Sequence, residues 1–256
     1  MKFSIQNTHI LYPGLLLFAS LLCNAAYAHS SSESHAGHHA HHHHQKPVLN
    51  PFSADYALKK KGLTIGKIRL SLTRENDRWR FETHAEAAGL AAMLSKDTIT
   101  ESTLLITGEN GIQPVHYRYL RSGDEHGKDL QTEFDWEQAV AKVKDRDETT
   151  SVELKDNTLN EHAVTLALIL ALKSSFSEIT YHVLDETKVE TQTYSHAGQE
   201  NVKVPAGEFD AVKLVRKHGS RETVGWYSPT LNYLPVKVQS FKDGKLKSEM
   251  ELLPVK

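Results

Sequence analysis

"TLNEHAVTLALILALKSSF", residues 158–176, is apolar around nearly its whole circumference from Ala163 to Leu172. A helix with one hydrophobic stripe lies on a surface, whereas a helix hydrophobic on every side has to be enclosed. Thr158 and Glu161 have the spacing of a capping box, in which the hydroxyl accepts from a backbone N–H three residues on and the carboxylate reaches back. Lys173 falls near the carboxyl end, where the helix dipole favours a cation. These signals predict one buried helix over about 158–174. What encloses it decides the fold.

The flanking sequence alternates with period 2, the signature of half-buried strands. In "KIRLSLT", residues 67–73, Ile68, Leu70 and Leu72 point one way and Lys67, Arg69, Ser71 and Thr73 the other. After the polar turn 75–78, "WRFETHAE" repeats the pattern with Trp79, Phe81, Thr83 and Ala85 on one face. Similar runs occur at 98–107, 115–121, 130–136, 139–145, 179–184, 188–194, 209–217, 222–227, 234–241 and 245–253. Asp243-Gly244 is a strong hairpin turn, and the mixed-charge run "KVKDRDETT", residues 142–150, reads as a solvated hairpin. A flat sheet would cover only one side of the helix. The predicted fold class is therefore mainly β: a large curved antiparallel sheet, half-barrel or barrel, wrapped around Leu166, Ile169 and Leu170. "EAAGLAAMLSK", residues 86–96, is Ala-rich and is expected to form a short helix at about 87–95, or a loop that presses Leu90, Met93 and Leu94 onto the sheet.

Ahead of this domain, residues 1–28 read as a signal peptide, with an apolar core at Leu15–Leu22 and a small-x-small site at Ala26-Tyr27-Ala28. The core is shorter than the ~20 residues that span a bilayer, so cleavage is expected in preference to a retained anchor. Bulky Leu22 before Cys23 argues against a lipid-modified cysteine. Cleavage would remove the one cysteine and leave a disulfide-free chain with no transmembrane anchor, which suggests a Gram-negative periplasm. The chain carries 30 Lys and Arg against 32 Asp and Glu, so there is no basic excess to attract nucleic acid. Residues 29–50 form the expected disordered arm and 51–256 a single β-rich domain. Oligomeric state has no sequence signal.

The arm contains "HAGHHAHHHHQ", residues 35–45, interrupted by Ala40, beginning seven residues after the expected cleavage site and preceded by His29, which argues against an engineered tag. His35, His38, His39, His41, His42, His43 and His44 are candidate metal ligands, because neutral imidazole binds zinc, copper and nickel. In a flexible arm such binding is expected to be modest and unselective, and the alternative is a solubilising tether. No cofactor is required by any motif. There is no nucleophile elbow, His-Glu-x-x-His, phosphate loop or dinucleotide fingerprint, so no catalytic residue is assigned. The domain histidines 84, 116, 126, 162, 182, 196 and 218 are scattered, and His162 reads as a partly exposed residue at the helix start.

Four stretches carry a family resemblance: "YALKKKGLTIGKIRLSL" near the domain's start, then "GIQPVHYRY", "VPAGEFDAVKLVR" and "GWYSPTLNYLPVKVQ". In this order, across about 52–253, the chain resembles domain-of-unknown-function family 3108. The resemblance implies an exported bacterial protein whose fold is similar to that of the outer-membrane lipoprotein carriers, a curved antiparallel sheet closed by helices. It implies no catalytic residue. Three function classes follow: a non-catalytic periplasmic protein binding a lipid or other apolar envelope component in the curved sheet, a metal-handling protein using the arm, or an enzyme of unrecognised type.

Overall fold

The structure, a computed structural model, describes residues 48–108, 111–123, 127–174 and 176–254. In chain order the strands are β1 (Phe52–Lys60), β2 (Leu63–Glu75), β3 (Arg78–Ala87), β4 (Thr98–Gly108), β5 (Gly111–Ser122), β6 (Lys128–Asp135), β7 (Val140–Asp145), β8 (Glu148–Glu153) and β9 (Leu159–Asn160). Helix α1 (Val164–Ala171) is followed by β10 (Glu178–Asp185), β11 (Lys188–Val204), β12 (Gly207–His218), β13 (Arg221–Ser228), β14 (Leu234–Lys242) and β15 (Lys245–Leu252). All belong to one 15-stranded sheet in the order β8-β7-β6-β5-β4-β3-β2-β1-β15-β14-β13-β12-β11-β10-β9.

That order forces the sheet to curl. The chain starts at the centre, meanders out to the edge at β8, and resumes at the opposite edge with β9. Laid flat at ~4.8 Å per strand, the two edges would be roughly 65–70 Å apart. Residues 154–158 are the entire link between them, and a link of that length reaches about 20 Å when fully extended. The edges must therefore come close together. They meet through side chains: Leu184 on β10 and Val189 on β11 pack with Leu130, Phe134, Ala141 and Val143 of β6 and β7. No ladder of hydrogen bonds joins β8 to β9, so the sheet stays open in the bonding sense.

Strands β9 and β10 are parallel, with Val183 opposite Leu159 and Leu184 opposite Asn160. A parallel pair needs a crossover connection, and α1 supplies it. Because the sheet curls around this crossover, the helix lies in the main core, with Val164, Leu166, Ala167, Leu168, Ile169 and Leu170 all buried. Burial of each large aliphatic side chain contributes roughly 1.5–3 kcal/mol. That explains why an all-round apolar helix is tolerated.

The helix is shorter than the sequence predicts. Extended pairing at Leu159–Asn160 prevents a start before the single 3-10 turn Glu161–Ala163. No capping box forms; the Thr158 hydroxyl instead accepts from the Lys155 N–H at 3.1 Å and donates to the Lys155 carbonyl at 2.7 Å, closing the preceding turn. At the other end the last carbonyls are taken up by tightened bonds, Lys173 N–H to Leu170 at 3.1 Å and Ser174 N–H to Ala171 at 2.9 Å. Lys173, expected near the helix's carboxyl end, lies beyond the Leu172 cap, so the last turn of α1 carries no cation, and its ammonium donates to the Val48 carbonyl.

Two further expectations change. The 87–95 segment forms only a 3-10 turn, Gly89–Met93. Leu90, Met93 and Leu94 do not press onto the sheet but stand 76, 82 and 82% exposed. Leu49, assigned by sequence to the arm, is buried in the main core, so the packed chain begins before residue 51. The signal segment and the histidines 35–44 lie outside the described residues.

Local signals elsewhere hold. Asp243 and Gly244 both take positive φ, 53° and 67°, between paired Lys242 and Lys245, the twist a two-residue hairpin needs. Gly66 sits at a register shift in the β1–β2 pairing, and a Cβ there would lie 3.0 Å from the Glu86 carbonyl oxygen. Strands β1, β8 and β9 were not separately legible, β1 because Ala57 is buried on the face opposite Ala54, Tyr56 and Leu58 and so breaks the apolar–polar alternation.

Candidate functional site

Between the helical crossover and the concave face lies a cavity of about 380 Å³. That is within the ~300–1,000 Å³ range of small-molecule sites. Its walls follow from strand register. Ile68 and Leu70 on β2 share a face with Phe81 on β3, because Leu70 stands opposite Thr83 and Leu72 opposite Phe81. From the other half of the sheet Leu214, Val238 and Met250 complete an apolar surface.

Polar groups gather on one side. Glu101 on β4, Tyr117 and Tyr119 on β5, and Glu161 and His162 from the 3-10 turn all line the cavity. At the mouth the Lys128 ammonium, at the start of β6, pairs with Glu186 in the β10–β11 turn at 2.5 Å. This pair bridges the two ends of the sheet. It is largely exposed, and so contributes little stability.

His162 is a structural pin. Its two ring nitrogens lie 2.8 Å from the Thr83 hydroxyl and 2.9 Å from the Thr103 hydroxyl. Thr103 also accepts from the Asn160 amide at 2.9 Å. One neutral tautomer satisfies the set: Nε2–H donates to Thr83 while Nδ1 accepts from Thr103. The ring stacks on Phe81 with centroids 4.2 Å apart. Burial pushes its pKa down to about 3, so the imidazole is neutral at physiological pH. With both nitrogens engaged it offers no lone pair to a metal. The sequence-based reading of a partly exposed residue is therefore corrected: the turn at 161–163 faces the sheet interior, where Thr83 and Thr103 wait on the inward positions of β3 and β4.

The two glutamates are held differently. Glu101 accepts from the Tyr117 hydroxyl at 2.7 Å. It keeps some solvent contact through the cavity, but protein surrounds it elsewhere and burial pushes its carboxyl above the usual range. Glu161 is pushed up further, first by burial and then by the Asp185 carboxylate, while Arg216 and the Gln192 amide pull the other way. The Gln192 amide favours the charged form of Glu161 in the manner of a hydrogen-bond donor. Glu161 Oε1 and Gln192 Nε2 are both buried without a hydrogen-bond partner. Buried polar groups are nearly always satisfied, so these two mark an unfinished arrangement.

Sequence reasoning did not single out these acids. The signal was present for Glu101, which occupies the same alternating face as Thr103 and Leu105, and for Tyr117 and Tyr119 in "VHYRYL". Glu161 was concealed by its capping-box spacing. Tyr227 lines the cavity, whereas Trp226 packs on the opposite face, donating to Glu200 at 2.8 Å beneath the Lys213 ammonium. Among the described residues no group of three or more His, Cys, Asp or Glu could hold a metal ion. Among the same residues no helix is long and apolar enough to cross a membrane.

The model of a family described as protein of unknown function, DUF3108, matches residues 52–251. None of the curated proteins matches. Among solved structures the chain is similar to the crystal structure of a beta-barrel-like protein of domain of unknown function DUF1849 from Brucella abortus. The likeness has a TM-score of 0.54 at 12% identity and covers 80% of this chain and 96% of that one. At that identity it shows the fold alone, and it agrees with the curled sheet described above.

Proposed function

The chain belongs to the DUF3108 family, and we propose that it is a non-catalytic binding protein that holds an amphipathic, envelope-derived molecule between α1 and the sheet. The observation that carries this reading is the cavity of about 380 Å³, apolar on one side and polar on the other. It is the distribution expected of a site that orients a largely apolar ligand by a few fixed polar groups. The buried, fully bonded and neutral His162 supports binding rather than acid–base chemistry, since a group that takes up a proton only near pH 3 is a poor base at neutral pH. A periplasmic setting is part of the proposal and rests on the leader-like residues 1–28.

The test is titration with N-phenyl-1-naphthylamine, a neutral dye that brightens in apolar surroundings. The protein should bind it saturably, and Thr223→Trp, which pushes an indole into the cavity, should abolish binding while leaving the circular dichroism spectrum unchanged. Equal binding by both proteins would refute the cavity as the site.

A second reading concerns the arm. The seven histidines at 35–44 support capture of zinc, copper or nickel independently of the cavity. Calorimetric titration of the chain beginning at His29 with Zn²⁺, compared with a chain lacking residues 29–45, should show binding sites that vanish with the arm. Unchanged binding would end this reading.

A further inference from the structure

The polar end of the cavity is strongly acidic. Glu101, Glu161, Asp185 and Glu186 all line it, against Lys128 as the one lining cation among the described residues, and Lys128 is already held by Glu186. Arg216 acts on Glu161 through space from β12 but does not line the cavity. An anionic head group placed here would meet carboxyls on several sides.

A second observation points the same way. Glu161 reaches the cavity with Oε1 buried and unpartnered, and it stands beside Gln192, which is 1% exposed and whose amide nitrogen is equally unmatched. Gln192 shares the inward face of β11 with Tyr194, whose hydroxyl donates to Gln192 Oε1 at 2.8 Å. A ligand N–H entering beside Glu161 would supply a donor to Oε1. Tyr117, Tyr119 and Tyr194 also line the cavity, and ring faces attract cations within about 6 Å.

We propose that the molecule bound is a cationic amphiphile, with an apolar chain against Ile68, Leu214, Val238 and Met250 and a protonated amine directed at Glu161 and Glu101. This rests on the container reading and narrows it to one class of ligand. Fatty acids and anionic phospholipids bring a charge of the wrong sign toward Asp185 and Glu186 and bind more weakly than the amine, whose charge favours the ionised form of Glu101 and Glu161 that burial disfavours; neutral alcohols of the same chain length bring no charge to the carboxyls.

The experiment measures displacement of N-phenyl-1-naphthylamine from the wild-type chain at pH 7.5 by decylamine, decanol and decanoate, each below its micelle concentration. Decylamine should displace the dye at least tenfold more effectively than decanoate, with decanol between them. Glu161→Gln should reduce decylamine affinity about tenfold and leave decanol unchanged. Decanoate binding as tightly as decylamine would overturn the proposal while leaving the container intact, as would a Glu161→Gln protein with undiminished preference for the amine. If the dye and all three decyl compounds fail to bind, both the proposal and the container fall.

Discussion

Replacing His162 by glutamine removes a ring that titrates but keeps an amide donor and acceptor for Thr83 and Thr103. At pH 8, where histidine is neutral in both folded and unfolded chains, the cost is the lost Phe81 stacking and poorer hydrogen-bond geometry, about 1–3 kcal/mol. Acidification changes the comparison. The unfolded chain takes a proton on His162 near pH 6.5, whereas the folded chain refuses it until about pH 3. Between those values the unfolded state binds more protons, so the wild type loses stability as pH falls. At about 1.4 kcal/mol per unit, the loss is roughly 2 kcal/mol by pH 5 and on the order of 5 kcal/mol at the lower limit. Glutamine has no such term. Glu101 and Glu161 act in the opposite sense, since their raised folded pKa values add stability on acidification, but both proteins share that contribution and it cancels in the difference. Urea unfolding of both proteins from pH 8 to pH 5 should therefore show the variant's deficit shrinking by roughly 2 kcal/mol. Parallel stability profiles would refute the placement of His162 as a buried neutral pin.

Leu166→Ala, at a helix position with 0% exposure, should cost about 2–5 kcal/mol of unfolding free energy; a loss below ~1 kcal/mol in chemical denaturation would mean the helix is not enclosed. Glu161→Gln should be more stable than wild type at pH 8, with the advantage gone below pH 4.5, because the wild-type carboxyl contributes stability below its unfolded pKa and loses it as pH rises through the raised folded value; a pH-independent difference would contradict its burial. Gly66→Val should destabilise by roughly 1–3 kcal/mol through crowding at the Glu86 carbonyl 3.0 Å from its Cβ, and an unchanged melting temperature would remove the bulge's claim on that glycine.

The architecture was legible where burial imposes a period. Ile68, Leu70 and Leu72 alternate because one face of β2 packs on the core, and the all-round apolar helix required enclosure, which only a curved sheet supplies. Strand β9 was not legible: two residues set no period, yet their parallel pairing with β10 delays the first helical turn to residue 161 and α1 to residue 164. The exposed Leu90, Met93 and Leu94 show the converse limit, since apolar composition says nothing about which way a 3-10 turn faces. The polar end of the cavity was hidden for a related reason. Glu101 is one carboxylate on an inward face, while Glu161 and His162 fit the first turn of an ordinary capped helix until tertiary packing turns them inward.

Native mass spectrometry of the protein isolated from the cells that produce it naturally addresses the container most directly. The account predicts a small amphipathic adduct that dissociates on collisional activation from the wild type and is absent from Thr223→Trp. A bare protein mass for both, or the same adduct on both, would contradict it.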